Sequence, residues 1–319
     1  WSLEQAYSGT SINNICETLR IRGRFDIPVL QKTLDLLVAS DGTLRTRIIR
    51  EGDALLQYEE DYVPERFPVF DFSRSDEDGL HHWERSIAKE AMPVTEAPLY
   101  YFAIFKLGEH EGGVLLKCHH IISDGWSQVL LINKLADTYL KLLSGEEAEL
   151  PPAPSYRLHV ASEEEYRKSR HYPADRDYWR EVLAEPAYPA ALRETGGAAL
   201  SPVGQRLSFG FSNSLNHAIY NYCAERRVAP FAVFYMALAL YIKRTVGAER
   251  FCVGVPIYNR INLSDRDTSG MFVSTLPFIN RIDEDWTFSR FTEEVMINWY
   301  DLLRHQRLPF AEIMEMAAL

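Results

Sequence analysis

The chain has 319 residues, 46% of them hydrophobic and 25% charged, and 45 acidic side chains against 34 basic ones give a net charge of −11. Such a chain can bury a large core and is long enough for two lobes, while its acidic balance argues against a broad nucleic-acid surface, which needs clustered Lys and Arg. Its most apolar stretch, Val228 to Ile242, stops at Lys243-Arg244 and has the length of a buried core helix, short of the roughly 18 apolar residues of a membrane span. With no charged, apolar leader at the start, these features predict a soluble cytoplasmic protein that does not engage a membrane.

In chain order, Asn14 to Gly23 alternates as a half-buried strand does. A helix follows, with Asp26 as its N-cap, Pro28 in the first turn and Leu30, Leu34, Leu37 and Val38 on one face. Strands are expected at Leu44 to Arg50 and Leu55 to Tyr58, a helix from Glu77 to Ala91, and two long strands at Leu99 to Leu107 and Gly113 to His119. A helix from Trp126 to Leu143 comes next, then an acidic, proline-bearing loop from Gly145 to Pro154. Glu163 to Leu183 reads as one or two exposed helices, and Ala184 to Pro202, with two prolines before Gly196-Gly197, reads as a linker. A second series of strand, two helices and strand begins near Gln205 and runs through Ile219, Phe231 to Ile242 and Phe251 to Val255. The fold class is therefore mixed α+β, with sheets covered by helices. The four cysteines, Cys16, Cys118, Cys223 and Cys252, are too dispersed for a zinc ribbon and read as reduced core thiols.

The most informative segment is Cys118-His119-His120-Ile121-Ile122-Ser123-Asp124-Gly125-Trp126-Ser127, which lies where a strand ends and a helix begins. If both histidines are extended, they point to opposite faces, so one can face a cleft while the other faces the core. Asp124 can cap the following helix, whose N-terminal N–H groups near Gly125 can stabilise negative charge. Neighbouring strand residues do not easily turn to one ion and no third His or Cys lies close by, so no metal site is expected. A second pair, His81-His82, sits in a charged helical stretch and reads as surface.

On these residues the chain resembles the condensation domains of non-ribosomal peptide synthetases, which share a fold and a His motif with chloramphenicol acetyltransferase. Thr43-Leu44-Arg45-Thr46-Arg47-Ile48 is similar to the family's Leu-Arg-Thr strand. Gly254-Val255-Pro256-Ile257-Tyr258-Asn259-Arg260 and Ser269-Gly270-Met271-Phe272-Val273-Ser274-Thr275 resemble two further segments, and His305-Gln306-Arg307-Leu308-Pro309-Phe310 a last one. All occur in the family's order. Three departures stand out: Ser274 replaces the usual Asn, the opening Trp1 to Ala6 matches only loosely, and the chain stops at Leu319 before the family's last motif.

The resemblance implies two chloramphenicol-acetyltransferase-like lobes in a V with a tunnel between them: an N-terminal lobe over 1–183, a linker over 184–202 and a truncated C-terminal lobe over 203–319. It implies an acyltransferase that moves an acyl or peptidyl group from a phosphopantetheine thioester to the amine of a carrier-bound amino acid. His120 would be the base or a positioning acceptor, with Gly125 marking the oxyanion donors. His119, Asp124 and Arg45 would be supporting residues, Asp124 pairing with Arg45, and Trp126 and Ser274 would line the tunnel. Asn259 and Arg260 would shape a turn and brace the lobes. The implied partners are donor and acceptor carrier-protein domains and an adjacent adenylation domain, with no cofactor bound by the domain itself. A coenzyme A-dependent acyltransferase, an epimerisation domain of the same fold and a non-catalytic carrier-docking domain remain open alternatives. On this reading Asp124→Ala and Arg45→Ala damage folding, whereas His120→Ala leaves a folded, inactive protein.

Overall fold

A computed structural model describes residues 4–5, 7–52, 54–75, 77–189 and 207–317. Most of the expected 184–202 linker and part of the Trp1 to Ala6 stretch lie outside the described residues. The fold is mixed α/β with open sheets, as expected. The chain forms two compact units, one of residues 1–164 with 260–272 and the other of residues 165–259 with 273–319. These units do not coincide with the expected 1–183 and 203–319 lobes. The first unit ends inside a helix and takes back a short segment from far down the chain.

In the first unit, β1 (Asn14–Arg22) leads to α1 (Ile27–Ser40), whose N-cap Asp26 accepts from the Val29 N–H and whose first turn holds Pro28. A hairpin of β2 (Thr46–Glu51) and β3 (Ala54–Glu59) follows, then β4 (Val69–Asp71), α2 (Glu77–Lys89), β5 (Tyr100–Lys106) and β6 (Glu111–His119). The main sheet has the order β1-β6-β5-β4, so β6 is paired on both edges, antiparallel to β1 and to β5. Eight of its nine residues are buried, as in a strand covered on both faces, and the one cation among them, Lys117, donates to the Glu90 carbonyl. The register sets Cys118 opposite Ile15 and Tyr100, and Asn14 opposite His119, so the end of β6 is held from both sides. Beyond it, α3 (Gly125–Leu143) lays Leu131, Leu135 and Tyr139 against Leu30, Leu34, Leu37 and Val38 of α1 and against Val114, Leu116 and Cys118.

α4 (Arg157–Lys168) carries the chain across the unit boundary, and α5 (His171–Leu183) opens the second unit. There β7 (Tyr188–Pro189), β8 (Arg250–Ile257) and β9 (Ser274–Arg281) form a sheet in the order β7-β8-β9. Around it lie α6 (Asn213–Arg226), α7 (Pro230–Val246), α8 (Phe288–Arg304) and α9 (Phe310–Ala317). The core joins Trp179, Met236, Phe251, Leu276, Phe278, Phe291, Val295 and Leu308. Gln205, near which a strand was expected to begin, lies outside the described residues, and 207–212 carry no regular structure. The apolar helix α7 is also less buried than its composition suggests. Ala232, Met236 and Ala239 face the core, whereas Phe231, Phe234, Leu238 and Tyr241 are exposed. Among the described residues no single helix is long and apolar enough to cross a membrane. All four cysteines are free, and burial pushes the Cys118 thiol up to about 12.

The inward face of α3 is testable. Leu135→Ala, at a fully buried position, is expected to cost about 2–5 kcal/mol in urea unfolding, whereas Leu140→Ala on the exposed face stays within about 0.5 kcal/mol.

Candidate active site

β6 ends at His119, and the next residue is already in a turn, so His120 is not the next residue of an extended strand. The two histidines separate for that reason rather than by strand alternation. The backbone N–H of His120 donates to the Asn13 carbonyl at 2.7 Å, and that of Ile122 closes the turn on the His119 carbonyl. His119 is buried. Its Nδ1 accepts from the Ile121 N–H at 3.1 Å, which puts the proton on Nε2, where it meets the Glu4 carboxylate at 3.2 Å. Glu4 also accepts from the Asn13 amide. Burial lowers the His119 pKa below the usual imidazole value, a shift that Glu4 only partly offsets. His120 is half-buried, and its Nδ1 lies 3.2 Å from Sδ of Met271.

Asp124 caps α3, and neither it nor Arg260 exposes any side-chain surface. Its Oδ1 accepts from the Ser127 N–H at 2.9 Å, from the Ser127 hydroxyl at 2.8 Å and from Arg260 Nη2 at 3.0 Å. Its Oδ2 accepts from Arg260 Nη1 at 2.6 Å and from the Phe272 N–H at 3.1 Å. Desolvation alone raises the Asp124 pKa, but the Arg260 and Ser127 hydrogen bonds outweigh it and hold the carboxyl below its ordinary range. Arg260 also stacks its guanidinium on the Phe272 ring at 4.0 Å and donates to Ser127 Oγ.

This corrects the expected Asp124–Arg45 pair. Arg45 lies in the turn before β2 rather than on a strand, and from there its Nη1 reaches the Val38 and Ala39 carbonyls at the C-terminal end of α1, while Nη2 meets Glu59 at 2.5 Å. A cation at a helix C-terminus satisfies orphan carbonyls and the macrodipole, a role complete without Asp124. Arg260, expected to shape a turn and brace the lobes, is instead the carboxylate's partner, with Asn259 just before it in the left-handed region at φ 51°.

The whole 260–272 segment is fastened to the first unit. The Trp126 indole donates to the Arg266 carbonyl, and Thr43 donates to the Ser269 carbonyl. Ser269 donates to Asp41, and the Gly270 N–H donates to Ser127 Oγ at 3.0 Å. The Tyr156 hydroxyl donates to the Met271 carbonyl at 2.6 Å. Gly270 packs against the Tyr156 ring so closely that a Cβ would lie 2.2 Å from Cδ2, and its φ of 157° disfavours any side chain. Gly125, by contrast, has nothing within 4 Å of a Cβ position and is exposed at the start of α3. Trp126 is 39% exposed, and Ser274 opens β9 opposite Ile257 in the second unit. His81 and His82 are exposed, with His81 paired to Glu84. Among the described residues no group of three His, Cys, Asp or Glu side chains could hold a metal. Glu4, Tyr156 and Met271 were not legible as site residues, because their contacts, Glu4 with His119, Tyr156 with Met271 and Met271 with His120, each span more than 100 positions of sequence.

A family model described as Condensation domain matches residues 1–319. The chain belongs to the condensation-domain family. This condensation domain is 28% identical to Surfactin synthase subunit 1 of Bacillus subtilis (strain 168) over 97% of its own length and 9% of that protein. It is 24% identical to Enniatin synthase of Fusarium equiseti over 98% of its length and 10% of that protein. The chain thus spans about a tenth of these curated relatives. Among solved structures it is similar to the first condensation domain of the calcium-dependent antibiotic synthetase in complex with a substrate analogue, with a TM-score of 0.88 and 26% identity, covering 99% of this chain and 76% of that one. The condensation enzyme VibH shares the fold at a TM-score of 0.81 and 22% identity, covering 100% and 74%.

Two outcomes follow for this site. In a double-mutant cycle, Asp124→Ala and Arg260→Ala each destabilise by about 3–5 kcal/mol and couple strongly, whereas Arg45→Ala costs about 1–2 kcal/mol and adds independently to Asp124→Ala. Because the folded-state His119 pKa is depressed, stability is fully present above the unfolded value of about 6.5 and is lost as pH falls from there through the folded value. The fall in unfolding free energy between about pH 7 and pH 5 should therefore shrink in His119→Asn; an equal fall would remove His119 as the proton acceptor.

Proposed function

We propose that this condensation domain forms amide bonds, transferring an acyl or peptidyl group from a phosphopantetheine thioester to the amine of a carrier-bound amino acid. The observation that carries this reading is His120, a half-buried imidazole held by its backbone in the turn after β6, one turn away from the N-terminus of α3. An imidazole titrates near neutrality and can accept or orient the proton of an attacking amine. The amine nitrogen attacks the thioester carbonyl, the C–N bond forms and the C–S bond breaks. The proton taken from the amine returns to the departing thiolate by way of His120. The exposed backbone at Gly125 opens a helix whose positive end can stabilise the oxyanion formed on the way, and the open space at its Cβ position would admit a substrate there.

Asp124 takes no proton in this scheme. Its carboxylate is enclosed by Arg260, Ser127 and the Phe272 N–H and acts by holding structure in place. Relatives that are much longer synthase chains support donor and acceptor carrier-protein domains and a neighbouring adenylation domain as partners, with substrates arriving on the phosphopantetheine of those carriers rather than on a cofactor of this domain. Trp126 and Ser274 are proposed to line the substrate path.

Intact-mass measurement of an aminoacylated carrier protein, after incubation with the domain and either octanoyl carrier protein or octanoyl-coenzyme A, tests the reading. A mass gain equal to the acyl group is expected, with His120→Ala still folded but slower by about 100- to 10,000-fold. Full activity in His120→Ala, or transfer only to acceptors other than the carrier-bound amine, would overturn it.

A further inference from the structure

Met271 lies on the segment that Asp124 holds, and its sulfur meets His120 Nδ1 at 3.2 Å. A thioether carries no proton, so the contact is attractive only when Nδ1 carries one. We infer that Met271 is a positioning residue that fixes His120 as the Nδ1–H tautomer and so leaves the Nε2 lone pair to accept the substrate proton. The inference rests on the reading of His120 as the acting group and deepens it.

The sulfur is itself held. The Phe272 N–H after it is bonded to Asp124, the Met271 carbonyl accepts from Tyr156, and the Gly270 N–H before it donates to Ser127. The backbone on both sides of Met271 is thereby pinned, which leaves the side chain only its own rotamers to place Sδ. A carboxylate at this position would raise the proton affinity of the imidazole and favour its charged form. A weak, neutral acceptor fixes the tautomer without doing so. The neighbouring His119 carries the opposite tautomer, imposed by the Ile121 N–H at its Nδ1, so the two adjacent rings are set differently by different partners. In this arrangement Asp124 acts on His120 at a distance, through Arg260, Phe272 and Met271.

The test is nitrogen-15 NMR of the histidine-labelled full chain at about pH 8, where an unperturbed imidazole is neutral. The His120 signals are assigned by their loss in His120→Gln. The expected wild-type spectrum has a protonated Nδ1 and an unprotonated Nε2 at His120. In Met271→Leu, which keeps the apolar bulk, that pattern collapses toward the Nε2–H form. Amide formation then falls about 2- to 10-fold at unchanged KM, the range an ordinary hydrogen bond sustains. A wild-type His120 protonated on Nε2, or an unchanged pattern in Met271→Leu, would overturn the inference while leaving the proposed reaction intact. Unimpaired amide formation by His120→Gln would instead remove the reading on which it rests. The wild-type spectrum decides the tautomer even if the leucine variant folds poorly.

Discussion

The buried pair of Asp124 and Arg260 is the constraint on which the arrangement of the first unit's candidate site depends. Two charges with no exposed side-chain surface are costly to desolvate, and replacing such a pair by apolar groups is often neutral or stabilising. Net stability is therefore a poor explanation for it. Its geometric consequence is clearer: at least five donors converge on one carboxylate, among them groups from the start of α3 and from a segment more than 130 residues further on. The same oxygens that cap α3 thereby anchor residues 260–272, and the anchored segment brings Met271 to His120. A weaker or longer link would leave the thioether free to wander from the imidazole.

Local patterning in the sequence foretold most elements of the first unit. The Asp26 cap, Pro28 in the first turn and the Leu30, Leu34, Leu37 face make α1 legible, and the apolar, β-prone Val114-Leu115-Leu116 marks β6 as a strand. The three-residue β4 is too short to show a period, and its pairing with β5 is parallel and non-local. The exposed half of α7 was hidden by composition. An apolar helix of that length reads as core, and no pattern in the sequence says how many of its faces are covered.

The site divides along the same line. His119, His120, Asp124 and Gly125 are contiguous enough for the candidate site to be located from one motif. That a buried Asp124 needs a cation was also legible from charge burial alone, but its identity was not. Arg45 and Arg260 both lie in segments of recognisable pattern, and the choice between them is made by tertiary geometry: Arg45 is already committed to the carbonyls at the end of α1, and Arg260 enters with the Phe272 ring beneath it. Glu4 and Tyr156 belong to the same class, since one accepts from the back of His119 and the other fixes the Met271 carbonyl, each from a distant segment.

The most direct test of this account is amide hydrogen exchange at Gly270 and Phe272, whose N–H groups donate to Ser127 and Asp124. If the carboxylate cage anchors the segment, both amides are protected close to the level of β6 in the wild-type protein, and in Arg260→Lys they lose protection selectively while β6 keeps it. Exchange at loop-like rates in the wild type, or protection unchanged in Arg260→Lys, would show that something other than Asp124 and Arg260 holds the segment and would contradict the account.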